Sequence, residues 1–404
     1  MIASNTGSEA KPWMQAVFAA LLAVAVGIGL SRFAYSALIP VMIEAGWVTG
    51  AEAGYLGAAN LAGYLAGALV GLASYARLRA TTILRGSMLL AAVAFLASAA
   101  PVSFEWLLGW RVVAGVTGGV LMVLAAPLAM SLVPMHRRGT MSGVIFAGVG
   151  VGVLLSSTLV PLLAPGGPAI SWIVLGVLCL VATVLAWSGW PESRDTESRT
   201  GPETRAHAHL EAPVIAICLA YGLAAVGLVP HMVFLVDFVA RDLGQGVAMG
   251  GVFWFLFGVG ALVGPVAAGR LADSVGSGWA LRLAILVQIP IVALPALSPF
   301  WPLLALSSVI VGAAVSGIVT LTSVRMRELV VQPQQRTSSW SMATVAFALG
   351  QAAGGYAFSA LFAASGGKYG SLFLWGAAAF AVASAVSFSP YWARTTKPRP
   401  QPTE

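Results

Sequence analysis

Two arginines stand where an apolar chain has least reason to carry them. Arg32 lies within GIGLSRFAYS and Arg111 within LLGWRVVAGV, each deep in a long hydrophobic run. A charge at the centre of a bilayer costs about 2.5–3.5 kcal/mol on insertion scales, so such residues face a polar interior, pair, or snorkel to the interface. Other polar groups join them. Tyr35 sits three residues beyond Arg32 and shares roughly its helical face, and Asn60 and Tyr64, four apart, share another. His231 follows a proline that would kink its helix, Asp237 stands six residues further on, and Gln351 lies in a later run. The chemistry open to this set is hydrogen bonding, charge pairing and proton exchange. Histidine titrates near neutral pH, so His231, with Asp237 and Arg111, is a candidate for proton coupling. Plainer roles stay open: a packed aromatic for Tyr35, a satisfied structural histidine, an interfacial acid, and for Asn60 an interhelical hydrogen bond worth about 1 kcal/mol.

Covalent and metal chemistry find no support. No G-x-x-x-x-G-K-[ST], H-E-x-x-H or G-x-S-x-G occurs, nor a paired-carboxylate motif of membrane enzymes. ATP drive is therefore not expected, and energy must come from an ion gradient or the solute's own. His207 and His209 form the one histidine pair, and two ligands rarely make a metal site. No metal or cofactor is expected.

The elements that position these residues follow from composition. Hydrophobic residues make up 59% of the 404 and charged residues 9%, where soluble chains carry roughly 25%. With a mean hydropathy of +0.90, that excludes a soluble domain. Runs long enough to span a bilayer are predicted at 13–42, 51–75, 80–100, 104–132, 138–163 and 168–190, then at 213–240, 247–272, 278–298, 300–324, 337–363 and 368–390. The fold class is all-α integral membrane, with twelve transmembrane helices. Cys179 and Cys218 fall inside these runs as free thiols. The net charge of +7 points to basic cytoplasmic loops rather than nucleic acid. With both termini in the cytoplasm, seventeen of the 21 Lys and Arg fall on that side; Arg241 and Lys368 fall outside, and Arg32 and Arg111 lie within helices.

The polar segment 191–212 divides the chain into six-helix halves, 1–190 and 213–390, with a cytoplasmic tail at 391–404. The halves repeat. Gly29-Leu30 matches Gly227-Leu228 at a shift of 198, Arg138 matches Arg336 at 198, and Gly115 matches Gly312 at 197. Two six-helix repeats make a transporter architecture, with the solute site near mid-membrane between them. Glycines four apart, as in Gly63/Gly67/Gly71, Gly115/Gly119 and Gly350/Gly354, read as packing faces. Gly148, Gly150 and Gly152 mark a flexible or closely packed fifth helix.

Three motifs resemble one family. Gly269-Arg270-Leu271-Ala272-Asp273-Ser274-Val275-Gly276 resembles the G-x-L-A-D-x-x-G gating signature of the major facilitator superfamily, in which glycines permit close packing and a tight turn while Asp273 caps or pairs. In the first half Tyr75 stands where that acid would be. Leu107 to Gly119 resembles the superfamily's fourth-helix pattern, with Ala114 in place of Gln. Ser31-Arg32-Phe33-Ala34-Tyr35, Ala59 to Ala68 and Gly350-Gln351 look like the YbfB/YjiJ-type branch.

The resemblance implies a transporter of the bacterial inner membrane with no resident cofactor, often an exporter. It places the first helix on the central cavity, where Arg32 would meet an anionic group. The expected substrate site is then Arg32, Tyr35, Asn60, Tyr64, Arg111, His231 and Gln351, and the gating motif Gly269, Asp273 and Gly276. The expected partners are a small anionic or zwitterionic solute, a proton and the lipid bilayer, around a monomer. Uptake or facilitated transport is the alternative, and a membrane enzyme or a non-transporting receptor a distant one.

Overall fold

The computed structural model describes residues 12–74, 79–134, 137–190, 211–330, 333–390 and 392. The segment with His207 and His209, Tyr75, and the tail apart from Trp392 lie outside them. Among the described residues, twelve helices are long and apolar enough to cross a membrane. They are α1 Pro12–Glu44, α2 Gly50–Ser74, α3 Ala80–Ala97, α4 Phe104–Leu132, α5 Arg138–Leu163 and α6 Pro168–Ala186. The second six are α7 Ala212–Asp242, α8 Gly246–Val275, α9 Ser277–Leu297, α10 Trp301–Leu329, α11 Pro333–Ala364 and α12 Tyr369–Ser387.

Local chemistry explains the ends. Thr49 and Glu52 form a reciprocal capping box at α2: the Thr49 N–H donates to Glu52 Oε2 (2.7 Å), and the Glu52 N–H to Thr49 Oγ1 (3.2 Å). Ser103 caps α4 by accepting from the Trp106 N–H. Gly276, at φ +82°, ends α8 in a conformation that side chains disfavour. α10 runs five residues past the predicted 324, because Arg325 and Glu328 pair at 3.2 Å and carry the helix beyond the apolar stretch.

α1 and α7 are not uniform α-helices. Ala25–Ala34 in α1 is π-helical, as are Pro230–Phe234 and Phe238–Asp242 in α7. Such wide turns recur at functional sites, where they redirect side chains. Arg32 and Met232 both lie in them.

The repeat is clearest in backbone contacts. A Cβ on Gly115 of α4 would lie 2.1 Å from the Asn60 carbonyl oxygen of α2, and one on Gly312 of α10 would lie 2.1 Å from that of Phe257 in α8. Gly63 and Gly67 of α2 would meet the carbonyls of Val112 and Val116; Gly260 and Gly264 of α8 would meet those of Val309 and Ala313. All three glycine pairs share one offset, 312 − 115 = 260 − 63 = 264 − 67 = 197. The α2–α4 and α8–α10 pairs are thus the same small-residue interface built twice. Arg85 and Arg282, at the same offset, repeat a second device. Arg85 donates to the Trp187 carbonyl past α6 and lies over its ring; Arg282 donates to the Ser387 carbonyl ending α12 and lies over Phe388.

Gly115→Ala should therefore force two backbones apart. The expected cost is about 1–3 kcal/mol, read as a lower thermal midpoint in detergent; an unchanged midpoint would show that α2 and α4 separate freely.

Candidate functional site

The first and last six helices meet along α1, α2 and α5 against α7, α8 and α11. Near the end opposite the termini a Cβ on Gly50 would lie 3.0 Å from the Phe362 ring and 3.1 Å from Arg241 Nη2. Deeper, Gly54 faces Ser359 (2.9 Å), Gly57 faces Val233 (3.0 Å) and Gly355 faces Leu61 (2.9 Å). Gly251 of α8 abuts Pro161 of α5, and Gly258 abuts Val153. Phe33 of α1 lies 6.0 Å from both Trp254 and Phe257 of α8, which stack on each other at 4.6 Å. These contacts seal the interface from that end down to Arg32. In α5, Gly148 and Gly152 press on α1 and Gly150 on Leu262 of α8, so this helix is closely packed.

At the foot of the seal is a cavity of about 10 Å³, room for roughly one water. It is lined by Arg32, Tyr35, Asn60, Arg111 and Met232, with Ser36, Gly57, Leu61 and Val233. The two arginines are held differently. Arg111 donates from Nη1 to the Ser31 carbonyl (3.0 Å) and lies 4.2 Å from the centre of the Tyr35 ring. Tyr35 is fixed by its hydroxyl, which donates to the Ala53 carbonyl at 2.8 Å. Asn60 donates to the carbonyls of Ser31 and Arg111, both at 3.2 Å, and so ties α2 to α1 and α4.

Arg32 has much less. Its Nη2 points at the Met232 sulfur, 3.9 Å away, and its guanidinium lies over the rings of Phe33 (5.2 Å) and Tyr64 (5.5 Å). Its Nε is buried with no hydrogen-bond partner among the described residues, as are Arg111 Nε and Ser31 Oγ. No described carboxylate pairs with either arginine. A cation–π contact contributes about 0.5–2 kcal/mol and a thioether is a weak acceptor, so Arg32 keeps unspent donor capacity. Gln351 of α11 reaches the same sulfur with Nε2 (3.8 Å), and its Oε1 is an unpartnered buried acceptor. The Ser36 hydroxyl donates to the Met232 carbonyl, a bond between the two sets of helices.

The cavity lining thus holds Arg32, Tyr35, Asn60 and Arg111, while Tyr64 and Gln351 stand behind it against Arg32 and Met232. His231 is turned elsewhere. Its Nε2 is 2.7 Å from Ser307 Oγ, and its ring packs edge-on against Phe373 at 5.1 Å. The Ser307 hydroxyl donates to the Ile291 carbonyl (2.8 Å), so the ring donates to Ser307 through Nε2. His231 is the sequence neighbour of Met232 in the π-helical stretch, and its side chain leaves the helix in a different direction from the Met232 side chain that lines the cavity.

Asp237 lies further toward the end opposite the termini and is 1% exposed. Arg241 grips it with two bonds of 2.5 and 2.6 Å, and the Tyr369 hydroxyl donates to the same carboxylate. Arg241 also donates to Tyr369 at 2.7 Å. Arg241 and Tyr369 were not among the expected site residues, although Arg241 stands four beyond Asp237, at pairing distance on a helix.

In the gating motif, Gly276 makes the expected turn. A Cβ on Gly269 would meet no described atom within 4 Å. Asp273 is exposed and pairs with no described residue; the tie between α9 and α10 is instead Ser277 to Glu328.

Comparison with known proteins agrees with this architecture. A family model described as uncharacterised MFS-type transporter YbfB matches residues 24–388. The chloramphenicol resistance protein of Streptomyces lividans is 31% identical over 350 residues, 83% of this chain and 86% of that protein. Among solved structures, a mutant of the nucleoside transporter NupG superposes with a TM-score of 0.73 at 16% identity, covering 93% of this chain and 98% of that one. A bacterial homologue of the human lysosomal transporter Spinster, inward-facing and occupied, superposes at 0.71 and 16%, covering 94% and 97%. These two show a shared fold.

Proposed function

The chain belongs to the YbfB family of MFS-type transporters, and from that premise we propose that it exports a small anionic or zwitterionic organic solute across the bacterial inner membrane by proton-coupled alternating access. The observation that carries this reading is the pair of buried arginines at the meeting of the two six-helix halves, without a described acid partner and with Arg32 Nε and Arg111 Nε unpartnered. A cation would be repelled there; a solute bearing acceptor oxygens would satisfy the donors. The halves, 1–190 and 213–390, would rock about this site, with 191–212 as their linker. One chain carries both halves, so a monomer suffices.

Export is supported by the likeness to the Streptomyces chloramphenicol resistance protein. The basic loops support cytoplasmic termini, and with that orientation the seal described above would close the outer side. Proton coupling is supported by Asp237, the one fully buried acid among the described residues. Protonating it would free Arg241, whose guanidinium lies against Gly50 of the other half. The Arg111 contacts to Ser31 and Tyr35 favour a holding role over a proton-carrying one.

The test uses purified protein in liposomes, its thermal midpoint screened against organic anions, amino acids, sugars and neutral drugs. A ligand selective for the folded state raises the midpoint. Organic anions are expected to do so, with their efflux then driven by an imposed pH gradient. A rise with sugars alone would overturn the charge assignment, and gradient-independent efflux would overturn the coupling.

A further inference from the structure

Met232 occupies a place that its chemistry does not explain. Two strong donors, Arg32 Nη2 and Gln351 Nε2, converge on its sulfur from 3.9 and 3.8 Å. One comes from α1 and the other from α11, so the sulfur lies where the two sets of helices meet. A thioether returns little for a buried guanidinium or amide. On the same two side chains, Arg32 Nε and Gln351 Oε1 are buried with no partner among the described residues. The adjoining cavity admits roughly one water, so no solute fits while the methionine side chain stays in place. The Met232 backbone is anchored by Ser36, leaving the side chain as the movable part. Methionine is unbranched and changes rotamer readily.

We infer that the Met232 thioether is a displaceable stopper in the acceptor position of the solute site, and that the solute replacing it carries a carboxylate-class oxyanion. This rests on the proposed solute site between the halves. The end of a methionine side chain and a carboxylate on its carbon are similar in size. A carboxylate offers the guanidinium fork of Arg32 two acceptors in its own plane, and a spare lone pair can take the Gln351 N–H. The described donors around the sulfur outnumber the acceptors, which disfavours a cation or a polyol. The stopper would keep the empty site filled, and its displacement would couple occupancy to α7 through the same residue that Ser36 holds from α1.

The probe is benzoate, with benzamide as its uncharged counterpart, and the readout is the thermal midpoint of the purified full chain. Benzoate is expected to raise the wild-type midpoint, and to reach the same rise in Met232→Ala at about tenfold lower concentration, because no stopper need be displaced. Benzamide is expected to raise neither. Equal benzoate dependence in wild type and Met232→Ala would overturn the stopper, as would no rise in Met232→Ala. An equal response to benzamide would overturn the oxyanion class. A rise that survives in the Arg32→Gln/Met232→Ala double variant would overturn the site itself, and with it the proposed function. Should Met232→Ala fail to fold, wild type labelled at its methionine methyls keeps the question decidable. The Met232 ε-methyl signal, assigned with Met232→Leu, is expected to shift as benzoate is titrated, and a stationary signal would overturn displacement.

Discussion

Arg32→Ala should sharply weaken solute binding while costing the fold little. Truncating one member of a buried, hydrogen-bonded charge pair costs about 2–5 kcal/mol, so a solute oxyanion held by Arg32 should bind about 30-fold weaker or worse. Without solute, the guanidinium has only ring faces and a sulfur for company. Its removal therefore relieves a poorly compensated burial, which offsets the loss of those ring contacts. Arg111→Ala should in addition destabilise the ligand-free fold. It loses the bond to Ser31 and the contact with Tyr35, at a cost of about 1–3 kcal/mol. Thermal melts of both variants, with and without the ligand found by screening, separate the two roles. A large drop in midpoint for ligand-free Arg32→Ala would make that residue structural.

Asp237→Asn should uncouple transport from the pH gradient while leaving solute exchange across the membrane intact. Asparagine keeps the shape and removes the charge that holds Arg241 through two short bonds. The Arg241 side chain is 28% exposed, so it can rehydrate, and the stability cost should stay near 1–3 kcal/mol. Proton uptake during efflux, followed with a pH dye, should disappear, while counterflow of labelled solute should persist. Loss of both activities would make the Asp237–Arg241–Tyr369 cluster a structural tie. Retention of both would place the proton elsewhere.

The spans were legible because bilayer thickness writes itself into apolar run length, and most boundaries fall within a few residues of expectation. The glycine pattern announced the close helix pairs, and Gly115 and Gly312 prove to make matching contacts. The π-helical stretches were legible only in part: Pro230 marked one, whereas residues 25–34 hold no proline, and Gly27 and Gly29 there read as packing glycines like the others. Arg32, Tyr35, Asn60 and Arg111 were legible as polar residues in apolar surroundings, and they converge on one cavity. Met232 was not, because a methionine in an apolar run carries no signal until its neighbours are known. Nor could the sequence say that His231, one register position away, would point at Ser307.

The poverty of partners around Arg32 bears on how the chain is made. α1 is synthesised before the other helices described, and Arg32 enters the membrane in it. Tyr64 follows with α2, but Gln351 and the Met232 sulfur come from α11 and α7, after more than half the chain has been built. For that interval the guanidinium has nothing to hold but ring faces. The 33-residue length of α1 lets the nascent helix slide or tilt until Arg32 reaches headgroups and water. Shortening α1 at either end should therefore lower the yield of inserted protein far more in wild type than in Arg32→Ala. The residue at the centre of the proposed site would be, during biogenesis, a burden that the extra length of its helix relieves.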